Sequence, residues 1–182
     1  MRLTYRQRAQ PSMLISRMNS KPMIHVRPAE ASDAEAISLL SAEIQGLHAQ
    51  AVPHLFKPAE PETFPPNAVR EFLQNPNRVF LVACEGTVVV GYASAEIQHR
   101  PETSIRRAQS ALWIHWIGVH AEWRRRGVGR ALVDAARTAA ERHGLGVLLL
   151  DVWTFNADAR AFYEAMGFHA QREILSLDLG GV

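Results

Sequence analysis

Residues 122–133, EWRRRGVGRALV, set three consecutive arginines against a Gly-x-Gly and follow them with an amphipathic run. Just upstream, SALWIHWIGV from about Ala111 to Val119 reads as a strand. It is apolar on both faces except at His115, which predicts a central place in a sheet. Downstream, Val128, Ala131, Leu132, Ala135 and Ala139 form an apolar stripe, with Arg130, Asp134, Arg137 and Glu141 on the other face of a helix. A helix that begins near Gly127 presents backbone N–H groups with no partner in an earlier turn, at the positive end of the helix dipole. Such an end is an anion site, best suited to phosphate. Gly127 and Gly129 remove side chains that would hold a diphosphate away from those donors, and the guanidinium groups of Arg124, Arg125, Arg126 and Arg130 add charge around it.

Other phosphate motifs do not fit. A Walker loop closes on Gly-Lys-Ser/Thr, whereas this one continues Gly129-Arg130-Ala131; a dinucleotide fingerprint needs a third glycine where Leu132 stands. A nucleic-acid surface is disfavoured by charge. The formal +2 of the 182 residues depends on Arg2, Arg6, Arg8, Arg17 and Lys21, and the remaining 15 basic residues face 18 acidic ones. The anion site is therefore local.

The elements that must carry this loop can be read along the chain. A short strand at Ile24–Arg27 precedes a helix entered through a Ser32/Glu35 capping box, with Ile37, Leu40, Ile44 and Leu47 at helical spacing. Five prolines between Val52 and Asn67 predict an irregular loop that could shape a pocket, followed by a short helix over Ala68–Gln74. RVFLVACEGTVVVGYASAEIQ gives a hairpin around Glu85-Gly86-Thr87, and His99–Gln109 reads as a polar loop. GVLLLDVW is a further strand, Ala157–Met166 a helix entered from Asn156, and EILSLDL a last strand. The expectation is one α+β domain over residues 23–182, with a mixed, mostly antiparallel sheet of six to seven strands and about four helices. Residues 1–22 are expected to be a basic, flexible extension.

The single cysteine, Cys84, excludes an internal disulfide and a Cys-paired metal site; it suits a reducing cytoplasm and reads as a buried core residue. His115 and His120 are separated by an odd number, which in a regular strand sends them to opposite faces and argues against a shared metal. No apolar run reaches the length of about 18 residues that a membrane span requires.

With two motifs in place, the chain resembles the GNAT superfamily of acyl-coenzyme A dependent N-acyltransferases. The signature Arg/Gln-x-x-Gly-x-Gly/Ala is met by Arg124, Gly127 and Gly129 after a strand, and a second segment by Asn156, Ala159, Tyr163, Gly167 and Phe168. The resemblance spans about residues 23–179, the early part in pattern only. It implies acetyl-CoA as co-substrate and no metal, with the pyrophosphate on Arg124, Arg125, Arg126, Gly127, Val128, Gly129, Arg130 and Ala131. Pantetheine would lie along Ile117, Gly118 and Val119, with Asn156, Ala159 and Tyr163 completing the site. Gly118 suits a bulge there. By the same resemblance an N–H near Val119 would stabilise the oxyanion, and Tyr163 would be the acid that protonates the departing thiolate.

The base is not given by the resemblance, because Trp113 stands where some members carry a glutamate. His115 leads as catalytic base, with Glu96 and Asp151 next and core packing as its ordinary alternative. Trp113, Trp116, Trp153 and Phe155 could line an acceptor pocket. A small-molecule primary amine, attacking the thioester directly in a ternary complex, is favoured as acceptor over a protein N-terminus or lysine. A non-catalytic CoA-binding sensor or scaffold is the remaining alternative. No nucleic-acid or membrane partner is expected, and a homodimer is an open option because relatives often pair through C-terminal strands.

Overall fold

Alternation along the hydrophobic runs makes two-faced strands, and each face acquires its own helical cover. The computed structural model describes residues 23–60 and 63–177; the basic extension at 1–22 lies outside them. Five strands, β1 (Ile24–Pro28), β2 (Arg78–Glu85), β3 (Val88–Arg100), β4 (Gln109–Val119) and β5 (Leu148–Leu150), lie side by side in chain order. All neighbours are antiparallel except β4 and β5, which run parallel across the connection that contains the helix after the arginines. The α-helices are α1 (Ala34–Ala51), α2 (Pro66–Leu73), α3 (Val128–Arg142) and α4 (Ala157–Ala165).

On one face Leu81, Ala93, Ala95, Leu112 and Ile114 pack with Val128, Leu132 and Ala136 of α3. On the other, Val82, Cys84 and Tyr92 pack with Ile37 and Leu40 of α1 and Val69 of α2. Residues such as Leu132 and Ile37 are fully buried, each contributing about 2 to 3 kcal/mol by removing its side chain from water. The β2–β3 turn forms at Gly86-Thr87, where Gly86 has φ +58°.

Three expectations are corrected. The cap of the first helix lies two residues earlier than Ser32/Glu35: Glu30 N–H donates to Asp33 Oδ2 at 2.7 Å, and Arg27 holds both Asp33 oxygens at 2.7 and 2.9 Å. Glu35 pairs with Arg70 of α2 instead. The sheet has five strands among the described residues, because EILSLDL finds no ladder up to Leu177. β5 pairs over only three residues and offers a short edge, while Ile174, Leu175 and Leu177 stay more than four-fifths exposed.

The bulge of β4 lies at His115 rather than at Gly118. Ser94 is registered with Trp116 but Ala95 with Ile114, so the extra residue of β4 is His115 and not Gly118. The insertion cancels the parity argument for the histidines. His115 bonds to Glu96 of β3, while His120 lies 3.7 Å from Glu43 of α1, so both belong to the α1 side of the sheet. Gly118 is required for another reason: a Cβ there would come to 2.7 Å from both Ile44 Cδ1 and Tyr92 Cε1.

Candidate active site

Pairing of β4 with β5 runs through Leu112, Trp113 and Ile114 and then stops, although β4 continues to Val119. From His115 onward a gap opens beside β4. His120 N–H donates to Val90 O at 3.0 Å on the β3 side. Alternation along an antiparallel strand then turns the amides of Ile117 and Val119 the other way, into the gap. Neither has a main-chain partner outside the strand ladder among the described residues. Their side chains pack into the core on the α3 face, so main chain and side chain serve different purposes at the same positions.

Where β4 ends, the chain makes a short turn over Ala121–Trp123 and enters α3 through Gly127 at φ +87°. Arg125, at φ +60°, is also left-handed, which among non-glycine residues is uncommon. The first turn closes with Ala131 N–H donating to Gly127 O at 3.0 Å. The N–H groups of residues 125–130 precede that bond and have no main-chain acceptor among the described residues. A Cβ at Gly129 would stand 3.4 Å from Phe162 Cζ, an ordinary contact, so its missing side chain leaves space over the amides rather than relieving a clash.

The arginines divide their work. Arg124 Nε donates to Val119 O at 3.1 Å and ties the loop to the end of β4. Arg126 stacks on Trp123 at 5.3 Å from the ring centroid. Arg125 lies 3.5 Å from Asp158 at the start of α4, both nearly nine-tenths exposed, a pairing that water screens to about 0 to 1 kcal/mol. Arg130 is exposed on the first turn of α3.

Asn156 caps α4 as expected, its Oδ1 accepting from Ala159 N–H at 3.1 Å. Phe162 sets α4 against the first turn of α3, and Tyr163 stands beside it with ring centroids 5.1 Å from Phe162 and 5.7 Å from Phe168. Burial pushes the Tyr163 hydroxyl up to about 12. It therefore keeps its proton at neutral pH and is a donor throughout the working range.

His115 Nε2 and Glu96 Oε2 are 3.0 Å apart, with both side chains about one-third exposed. A carboxylate only accepts, so the imidazole proton belongs on Nε2 and the lone pair of Nδ1 is left to take another. Glu96, weighed from sequence as a rival base, is the hydrogen-bond partner of His115. Asp151 is exposed one residue beyond β5 and makes no hydrogen bond among the described residues.

Sequence reasoning missed two features. Gly91 passes under Gly118: a Cβ on it would meet Gly118 O at 2.8 Å and Val128 Cγ1 at 3.0 Å, so β3 can carry no side chain there. The second is a ring cluster drawn from four segments, in which Trp116, Trp153 and Phe155 are joined by His48 of α1 and Phe56 of the proline-rich loop. Trp113 is not part of it and stacks with Arg100 at 5.5 Å. Among the described residues no group of three or more His, Cys, Asp or Glu could hold a metal, and no helix is long and apolar enough to cross a membrane.

The sheet parts beside β4 above a glycine-opened helix start. The chain belongs to the acetyltransferase (GNAT) family, whose model matches residues 49–168. Over 108 residues it is 31% identical to the N-alpha-acetyltransferase RimI of Mycobacterium tuberculosis, covering 59% of this chain and 62% of that protein. Over 53 residues it is 40% identical to the [ribosomal protein bS18]-alanine N-acetyltransferase of Escherichia coli, 29% of this chain and 36% of that one. The match thus spans roughly a third to three-fifths of these relatives' length.

The fold superposes on the BH1408 protein of Bacillus halodurans with a TM-score of 0.81 at 23% identity, covering 85% of this chain and 99% of that one. It also superposes on the aminoglycoside N-acetyltransferase AAC(6')-Iy, solved with CoA, with a TM-score of 0.62 at 20% identity over 86% and 94% of the two chains.

Proposed function

We propose that this protein transfers an acetyl group from acetyl-CoA to a primary amine by direct attack, with a small-molecule amine as acceptor. The observation that carries the reading is the gap between β4 and β5, with the amides of Ile117 and Val119 turned into it and the unpaired donors of residues 125–130 at its end. These groups match the two polar stretches of the co-substrate: Ile117, Gly118 and Val119 face an amide-bearing pantetheine arm, and residues 124–131 a diphosphate. Asn156 and Ala159, at the head of α4, adjoin the same site.

Direct attack fits the thiol inventory. Cys84 is the only cysteine in the chain, it is 1% exposed, and burial raises its thiol, so it is not equipped to carry the acyl group. His115 takes a proton from the incoming ammonium through Nδ1 while Glu96 holds its ring. The Val119 N–H donates to the carbonyl oxygen as it gains charge. Tyr163 donates to the sulfur as the thioester bond breaks.

A protein N-terminus is the second reading, favoured by the 31% identity to an N-alpha-acetyltransferase. A screen of amines, aminoglycosides and peptides for release of free thiol from acetyl-CoA decides between them. Intersecting double-reciprocal plots with a small amine are expected. Turnover confined to peptides would replace the first reading with the second, and binding without turnover across the screen would leave a CoA sensor.

A further inference from the structure

The ring cluster points to the acceptor's chemistry. Its members come from the last turn of α1 (His48), the proline-rich loop (Phe56), β4 (Trp116) and the segment after β5 (Trp153, Phe155). His48 lies 5.0 Å from Phe56, 6.1 Å from Trp116 and 5.7 Å from Phe155 between centroids, and Phe56 is 5.2 Å from Trp153. Most of these contacts are edge-to-face, the arrangement aromatic pairs favour. Yet Trp116, Trp153 and Phe155 remain 41%, 43% and 39% exposed. Three large rings gathered in one place with two-fifths of their surface open form an apolar patch of the kind that marks a ligand site.

The patch adjoins the proposed reaction centre. The bulge that inserts His115 puts it and Trp116 on the same side of the sheet, where a regular strand would separate them. Two neighbouring residues of β4 therefore present their side chains on one face. A molecule whose apolar body rests on Trp116 would extend toward His115 on the same face.

The polar group next to the rings is the imidazole of His115, held by Glu96 at 3.0 Å. Phe56 packs between His48 and Trp153, and Lys57 O accepts from Gln45 Nε2 at 2.6 Å, which ties the proline-rich loop to α1 beside the rings. From this juxtaposition we infer that the acceptor is an arylalkyl primary amine, its ring held by Trp116, Trp153 and Phe155 and its nitrogen presented to His115.

The inference rests on the acetyl-CoA reading, and the test separates the two. Calorimetry with acetyl-CoA comes first, then thiol release at saturating acetyl-CoA with 2-phenylethylamine, butylamine, kanamycin and a peptide beginning with alanine. For 2-phenylethylamine, kcat/KM is expected to exceed that for butylamine by about 30-fold, the worth of burying one ring. Trp153→Ala should lower the 2-phenylethylamine value about tenfold through KM, and Trp153→Phe should recover most of it. Equal values for the two amines, preference for kanamycin or the peptide, or no effect of Trp153→Ala would overturn the arylalkylamine assignment while acetyl-CoA still binds. Failure of acetyl-CoA to bind the folded protein would overturn both.

Discussion

Removing one oxygen tests the acid. In Tyr163→Phe the ring keeps its packing against Phe162 and Phe168, and the lost hydroxyl has no hydrogen-bond partner among the described residues. Stability should therefore change by less than about 0.5 kcal/mol, a shift in Tm of no more than about 2 °C. The kinetic effect is bounded by the hydroxyl's own acidity. Burial raises it to about 12. A free thiol titrates near 8.5, so complete transfer to the thiolate is uphill by about 5 kcal/mol. In the proposed mechanism Tyr163 thus donates a hydrogen bond to the charge growing on sulfur. A hydrogen bond to a charged group contributes about 1.5 to 3 kcal/mol, which corresponds to a loss of about 10- to 150-fold in kcat. Steady-state thiol release with the best amine of the screen should show that loss, with acetyl-CoA affinity changed less than threefold. The wild-type rate should show no fall with pH below about 10, because the donor is still protonated there. A kcat within twofold of wild type would refute the assignment, and a drop in Tm of more than 5 °C would make the hydroxyl structural.

Three further outcomes follow from the same geometry. His115→Ala should lower kcat/KM about 100-fold near pH 7, with the deficit shrinking toward pH 10 as the alkylamine, pKa about 10.4, sheds its own proton; a deficit independent of pH would remove His115 from proton transfer. Asp33 is held below its ordinary 3.8 chiefly by the hydrogen bonds from Arg27, so its contribution is complete above that value and disappears as pH falls through the lowered one. Asp33→Asn, leaving Arg27 unpaired, should cost about 3 kcal/mol at pH 7 in urea unfolding, and the difference from wild type should narrow below pH 4; a constant difference would contradict the pairing. Gly118→Ala forces its new Cβ against Tyr92, which is 1% exposed and bonded through its hydroxyl to Ser41 Oγ at 2.8 Å. A cost of about 1 to 3 kcal/mol, or about 3 to 9 °C in Tm, is expected, and an unchanged Tm would show that α1 can move away.

Local signals were legible in sequence. Gly86 needs a left-handed turn and marks the β2–β3 hairpin, Asn156 can cap α4, and Gly127 opens α3 with a positive φ. These depend on a residue and its immediate neighbours. Features set by distant partners were not legible. The bulge at His115 depends on how β4 registers against β3, and nothing in IHW states which residue will be extra. The cap moved from Ser32 to Glu30 because Arg27, on β1, captures Asp33. EILSLDL has a strand's composition, but no ladder forms for it up to Leu177. The ring cluster joins residues more than 100 positions apart, so sequence could nominate Trp116, Trp153 and Phe155 but not bring in His48 and Phe56.

The central claim is that unpaired amides at the start of α3 grip the diphosphate of the acyl carrier. Amide proton and nitrogen shifts of Gly127 and Gly129, followed by NMR during titration with CoA and then with pantetheine, which lacks phosphate, read those donors individually. Both resonances are expected to move downfield with CoA and to stay in place with pantetheine. CoA that binds the folded protein by calorimetry while Gly127 and Gly129 remain unmoved would contradict the account.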